Sequence, residues 1–227
     1  MIIELSGPTC SGKSSYCEKL ANSEFAKQGQ FKFVTDNERI VSSNSLVYNC
    51  ANHNIKLDLI LSPLSIVGFI FNLSFSYQVL LKAVAVEKGL KPKITILRLL
   101  LRRLGLVVLF RLKNENVIFD EGPFHFLHNL WVQPNSEVNL KGVSKFCKSF
   151  RVTDKVVVLH ESMDVLKERM LKRTDRSSRI NSDEEALKFV ESAHDLFKEV
   201  LKLCNDRITS SEDFLIGNKK KYEEDLC

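Results

Sequence analysis

A chain of 227 residues with 44% apolar and 27% charged side chains can bury a sizeable single core, which excludes wholesale disorder. Five prolines and nine glycines exclude collagen-like or low-complexity architecture, and a net charge of +5 is too mild to point to nucleic acid. None of the six cysteines forms a CxxC pair, which excludes an ordinary zinc site, and the opening MIIELSG lacks the basic start of a secretory signal. A reducing, cytoplasmic location is therefore expected, with a peripheral place at the inner membrane surface as the alternative.

In chain order, residues 2–6 (IIELS) predict a short strand closed by Gly7-Pro8, and a helix is expected from about Gly12 to Lys27. Residues 31–35 predict a second strand. A long, mostly helical stretch follows from about Leu57 to Arg111, with breaks expected near Ser62-Pro63 and near Gly89–Pro92. Within it, Leu59 to Leu81 carries no charge and is long enough to span a bilayer. Its Pro63, Gly68, Asn72, Gln78 and serines favour instead a helix pair that is buried or faces a partner. Residues 116–120 predict a third strand ending in Asp120, and residues 155–160 a fourth, followed by a helix capped by Ser162. A helix over about 182–204 leads to a last strand near 207–209. Short apolar strands separated by helices predict an α/β fold of three layers, with a five-stranded parallel sheet and a helical insertion (57–113) between strands 2 and 3. One domain is expected over 1–227.

Residues 7–14, GPTCSGKS, fit G-x-x-x-x-G-K-[ST] between a predicted strand and a predicted helix, the context that gives this pattern its meaning. Gly7 and Gly12 let the backbone wrap closely enough for successive N–H groups to face phosphate oxygens, and the helix adds its positive end. Lys13 is placed to reach the β- and γ-phosphates, and the Ser14 hydroxyl to ligate Mg²⁺. The expected nucleotide-binding set is Gly7, Pro8, Thr9, Cys10, Ser11, Gly12, Lys13, Ser14 and Ser15, with ATP and Mg²⁺ as cofactors. Cys10 is expected to contribute its backbone.

Asp120 closes the apolar run VIF, where a P-loop protein keeps an acid for the magnesium ion. Glu121 is either a second acid acting on substrate hydroxyls or a carboxylate that starts a helix. His125 and His128 have the spacing of a metal pair but no visible third ligand, and are read as ordinary pocket-wall residues. Residues 169–179, RMLKRTDRSSR, bridge a helix end and a polar loop. Arg169, Arg173 and Arg176 there suit a lid (172–181) whose guanidinium groups meet the charge of a transferring phosphoryl group.

In these motifs the chain resembles the P-loop nucleotide and nucleoside kinases, and most nearly the thymidylate kinase-like group. The resemblance implies that Lys13 and Ser14 bind Mg²⁺–ATP, that Asp120 is the acid at the reaction centre, and that Arg169, Arg173 and Arg176 belong to the lid. It also implies that ITSSEDF (208–214) walls the adenine ring. Two departures fall on the acceptor side. The family's Asp-Arg pair is Asp120-Glu121 here, and the second strand runs into Thr35-Asp36-Asn37-Glu38-Arg39 in place of Arg-Glu-Pro. An added carboxylate suits a neutral, hydroxyl-rich acceptor, with Asp36, Arg39 and Glu121 as candidate acceptor residues.

The function expected is phosphoryl transfer from ATP to a small hydroxyl-bearing acceptor (nucleoside, nucleotide or sugar). The alternative is a regulatory ATPase with no small acceptor, by analogy with kinase-like ATPases of surface-polysaccharide pathways. A GTPase is disfavoured, since Asn218-Lys219-Lys220-Lys221 lacks the final Asp of N-K-x-D and Asp120-Glu121-Gly122 is one residue short of D-x-x-G. No specific nucleic-acid partner is expected. From Glu87 to Lys113 eight basic residues face one acid. That segment is read first as a cover for the acceptor pocket and a homodimer interface, and second as a peripheral membrane contact.

Overall fold

The computed structural model describes residues 1–23, 31–35, 47–49, 55–87, 89–133, 138–174, 180–203 and 207–214. At its centre lies strand β1 (Ile2–Ser6), hydrogen-bonded in parallel to β4 (Val117–Phe119) on one side and β5 (Lys155–Val158) on the other. Outside β4 lie β2 (Lys32–Thr35) and β3 (Val47–Asn49), and outside β5 lies β6 (Ile208–Ser210), so the order is β3-β2-β4-β1-β5-β6. The five strands expected from the sequence are all present. The sixth, β3, was not anticipated. Its presence moves the helical insertion to the connection between the third and fourth strands.

All five β1 residues are buried, as expected of a strand covered on both faces. On one face Ile3, Leu5, Phe33, Ile118 and Val157 pack with Cys17 and Leu20 of helix α1 (Lys13–Ala21). On the other, Ile2, Val34, Phe119, Val156 and Val158 join a larger core built by the remaining helices. Helix α1 ends at Asn22, short of the expected Lys27, and residues 24–27 lie outside the described residues.

The insertion is three helices: α2 (Ile55–Phe71), α3 (Leu73–Val86) and α4 (Leu90–Leu112). The break expected at Ser62-Pro63 does not occur. Pro63 lies inside α2, where both it and Leu59, whose carbonyl loses its donor, are exposed to water. The chain turns instead at Asn72, whose backbone and side-chain N–H groups both donate to the Gly68 carbonyl, at 3.2 and 2.9 Å. α2 and α3 meet there at 98°. The break before Pro92 stands where expected, with Gly89 as N-cap of α4. α2 and α4 pack backbone to backbone through two glycines. A Cβ at Gly68 would stand 2.9 Å from the Leu104 carbonyl oxygen, and one at Gly105 2.5 Å from Ser65 Oγ.

The rest of the chain completes the larger layer. A 3₁₀ turn (Pro123–His125) and α5 (Phe126–Trp131) follow β4, then α6 (Leu140–Ser149), α7 (Met163–Lys172) and α8 (Asp183–Lys202). Edge-to-face contacts join Phe75 of α3 to Phe146 and Phe150, and Phe124 to the same pair, with centroids 5.0–5.6 Å apart. Ser162 caps α7 by its backbone conformation alone. Ser182 caps α8, its Oγ accepting the Glu185 N–H, while the Glu185 carboxylate accepts the backbone and side-chain N–H groups of Asn181 just before it.

Candidate active site

β2 lies two places from β1, β4 returns between them, and β5 falls on the opposite side, so the order reverses beside β1. Beyond the carboxyl ends of such strands a crevice opens, and the phosphate loop and Asp120 both stand there.

The loop from Gly7 to Gly12 takes three left-handed or positive-φ residues to make its turn: Gly7 (149°), Cys10 (67°) and Gly12 (83°). At Gly7 no side chain fits, since a Cβ would stand 2.5 Å from the Leu159 carbonyl oxygen and 2.9 Å from Ser11 Oγ. Gly12 is the N-cap of α1. No side chain caps that helix, and its first turn holds no acidic residue, so the positive end is left for a ligand. Lys13 Nζ folds back onto the carbonyls of Gly7 and Pro8, at 3.4 and 3.3 Å. An ammonium lying across loop carbonyls, next to a bare helix N-terminus, suits a polyphosphate. Ser14 and Ser15 are exposed on the first turn, while Ser11 is buried. The expected lysine, serine and loop backbone are thus gathered in one place.

Asp120, 6% exposed, is the first residue past β4. Thr35, the last residue of β2, donates its hydroxyl to Asp120 Oδ2 at 2.9 Å. Burial and, to a lesser extent, the Asp120 charge push up the Cys17 thiol of α1. Among the described residues no three His, Cys, Asp or Glu side chains group as a metal cage. Ser14 and Asp120 would supply two oxygens. That donor set fits a magnesium ion, which keeps waters and takes its remaining oxygens from phosphates.

Arg169 of α7 reaches the loop itself, donating from Nη1 to the Cys10 carbonyl at 3.0 Å and lying 3.4 Å from Glu161. Arg173 is the exposed C-cap of α7. Arg176, like Asp36 and Arg39, lies outside the described residues, as does residue range 175–179 of the expected lid. Ser211, from the segment expected to wall an adenine, lines a cavity of about 400 Å³ beside the loop, together with Tyr16, Lys19, His160 and Arg169.

Three further residues shape this region: the buried Glu4, to which the sequence reading assigned nothing, the half-buried Arg103, and the buried His128, read there as a pocket-wall residue. Glu4 of β1 is fully buried and accepts the backbone N–H groups of Phe124 and His125, each at 2.8 Å. Burial pushes its carboxyl up to about 8, against the pull of those two N–H groups and of Arg103. A lone acid inside the apolar run IIELS was the available signal. Arg103 of α4 donates to the Gly122 carbonyl at 3.0 Å and covers the Phe126 ring, so the insertion also grips the turn that follows Asp120. His128 Nε2 lies 2.9 Å from Thr9 Oγ1 of the loop, and its ring stacks on His125 at 5.1 Å. His125 in turn stands 3.5 Å from the exposed Glu121. The two histidines therefore pack between the phosphate loop and Glu121.

A bare helix N-terminus behind a GPTCSGKS loop on the central strand of a parallel sheet decides the architecture. The fold is that of the P-loop NTPases. No family profile matches this chain, and no curated protein sequence matches it. A solved structure similar to it is "deoxyadenosine kinase from M.mycoides with bound dATP", at TM-score 0.45 and 16% identity, over 97% of this chain and 99% of that one. At that identity and score, neither substrate nor mechanism carries over.

Proposed function

We propose that this protein transfers the terminal phosphoryl group of Mg²⁺–ATP to a small hydroxyl-bearing acceptor: a nucleoside, a nucleotide or a sugar. The observation behind this reading is that Lys13, Arg169 and the bare N-terminus of α1 converge on one loop, with Asp120 at the end of the adjoining strand. When bound, Mg²⁺–ATP supplies the phosphoryl group and part of the charge neutralisation. The backbone of Gly7–Ser15 cradles the phosphates, and Lys13 exchanges its two loop carbonyls for β- and γ-phosphate oxygens. Ser14 and Asp120 hold the cation, and Thr35 fixes the Asp120 rotamer. Arg169, already on the loop, meets the charge that spreads over the equatorial oxygens, and Arg173 and Arg176 add to it from the lid. Glu121, exposed beside Asp120, orients an acceptor hydroxyl as a hydrogen-bond acceptor, and Asp36 and Arg39 are the further residues proposed for the acceptor.

The test is an acceptor screen with γ-labelled ATP across nucleosides, nucleotides and sugars, with Lys13→Ala as control. A labelled acceptor that disappears in Lys13→Ala, with turnover reduced about 10²–10³-fold, is the expected result. Label released only as inorganic phosphate, and only with Lys13 present, would make the chain a regulatory ATPase instead. Unchanged turnover in Lys13→Ala would remove the loop from the reaction.

A further inference from the structure

The apolar surface of this protein is concentrated on one part of it. Of the seventeen large apolar side chains that are exposed among the described residues, thirteen lie between Leu59 and Leu97, on α2, α3 and the start of α4. Together they present on the order of 1,000 Å² of apolar surface, far more than singly scattered side chains would. The exposure follows helical faces. On α2 it runs along Leu59, Ile66 and Ile70 to Phe71, which is 83% exposed, and on α3 along Leu73, Tyr77, Leu81 and Val84. The opposite faces, Leu61, Ser65 and Gly68 on α2 and Phe75, Val79 and Ala83 on α3, are buried. Among the described residues no single helix is long and apolar enough to cross a membrane; α2 and α3 reach that length and apolarity only as a pair bent by 98°. Two helices at a right angle, each apolar outward, suit a contact lying along an interface.

Charge selects what covers this face. Between Asp58 and Lys113 nine basic side chains stand against two acidic ones, a surplus larger than the net +5 of the whole chain. Asp58 is held by both Arg98 and Arg102 across the α2–α4 contact, so those two arginines face α2. Lys91 and Lys93 remain on the first turn of α4, beside the exposed Leu90 and Ile94. A second copy would bring two positive segments together, whereas an anionic lipid surface complements both the charge and the apolar face. We propose that the outer face of α2 and α3, with the start of α4, docks on an anionic lipid bilayer, the apolar side chains entering the interface and Lys91 and Lys93 meeting headgroups. This holds whatever reaction the phosphate loop supports.

The experiment is vesicle flotation of the full chain at low and moderate salt. Vesicles of phosphatidylcholine mixed with phosphatidylglycerol are compared with vesicles of phosphatidylcholine alone. Ile70→Ser/Phe71→Ser and Lys91→Glu/Lys93→Glu are surface changes whose folding is checked by circular dichroism. The expected result is binding that prefers the anionic vesicles and weakens with salt, and that falls at least about tenfold in each double variant. Wild-type protein that stays with the unbound fraction at low salt overturns the proposal, and so does binding that neither double variant weakens. A dimer in sedimentation velocity that Ile70→Ser/Phe71→Ser splits, with no lipid binding, would assign the face to a second copy.

Discussion

Glu4 and Gly122 touch where the central strand meets the turn after β4: a Cβ at Gly122 would stand 2.6 Å from the Glu4 carboxylate. That turn is hung on Glu4, which accepts the N–H groups of Phe124 and His125. Gly122 has an ordinary φ of −88°, so an added methyl meets a problem of space alone. Gly122→Ala is therefore expected to cost about 1–3 kcal/mol of stability in urea unfolding. In a Glu4→Ala background the clash partner is gone, and the same substitution should cost far less. Additive losses in that double-mutant cycle would show that the contact is not what excludes the methyl.

The Glu4 carboxyl also predicts a pH dependence. Its ordinary value is near 4.5 and burial raises it to about 8 in the folded protein. Between those values the folded state holds a proton that the unfolded state has released. The stability contribution is thus fully present below about 4.5 and is lost as pH rises through about 8. His160, whose pKa is lowered by burial and by its neighbour His194, works in the opposite direction, so stability due to it is lost as pH falls. The measurement is therefore a difference: wild type minus Glu4→Gln, by urea unfolding from pH 5 to pH 8. That difference should fall with pH by up to about 1.4 kcal/mol per unit. A flat difference would mean that Glu4 is ionised throughout.

The parts legible in the sequence share a physical reason. The phosphate loop combines residue types with no interchangeable substitutes: glycine where φ is positive and no Cβ fits, and lysine where a cation must lie on the loop. Strands such as VIF and KVVV stand out as apolar runs, and so they were visible. Glu4 was hidden because a buried acid is specified by what surrounds it in space, namely the N–H groups of a turn 120 residues further on. The bend at Asn72 was misplaced to Pro63 because proline signals a break only where the lost hydrogen bond cannot be replaced by water. Arg98 and Arg102 were read with the basic segment as part of a pocket cover and dimer interface or a membrane contact, yet both are engaged by Asp58, 40 and 44 residues away in sequence.

Asp120→Asn separates a charge from a shape. Asparagine can still accept the Thr35 hydroxyl, so the turn and the fold should persist. The carboxylate charge is lost from beside the cation, where it counts most as the phosphoryl group moves. Turnover in the acceptor assay is expected to fall about 10²-fold or more, with ATP affinity changing by only a few-fold. Equal losses in binding and turnover would make Asp120 a purely structural partner of Thr35.

Arg169→Lys gives the sharpest test of the α7 contribution, because it keeps the charge and removes the fork. Nη1 of Arg169 donates to the Cys10 carbonyl while the same guanidinium lies against Glu161. A lysine ammonium on a flexible stem cannot hold both positions and still present a planar pair of donors to phosphoryl oxygens. The side chain is 45% exposed, so stability should change by no more than about 0.5 kcal/mol. kcat is expected to fall about 10²-fold, with a smaller rise in KM for ATP, as for a group that acts mainly on the transition state. Arg169→Ala should lose little beyond that, since the geometry is already gone in the lysine variant. A lysine variant with near-normal kcat would reduce Arg169 to a surface cation that tethers α7 to the loop.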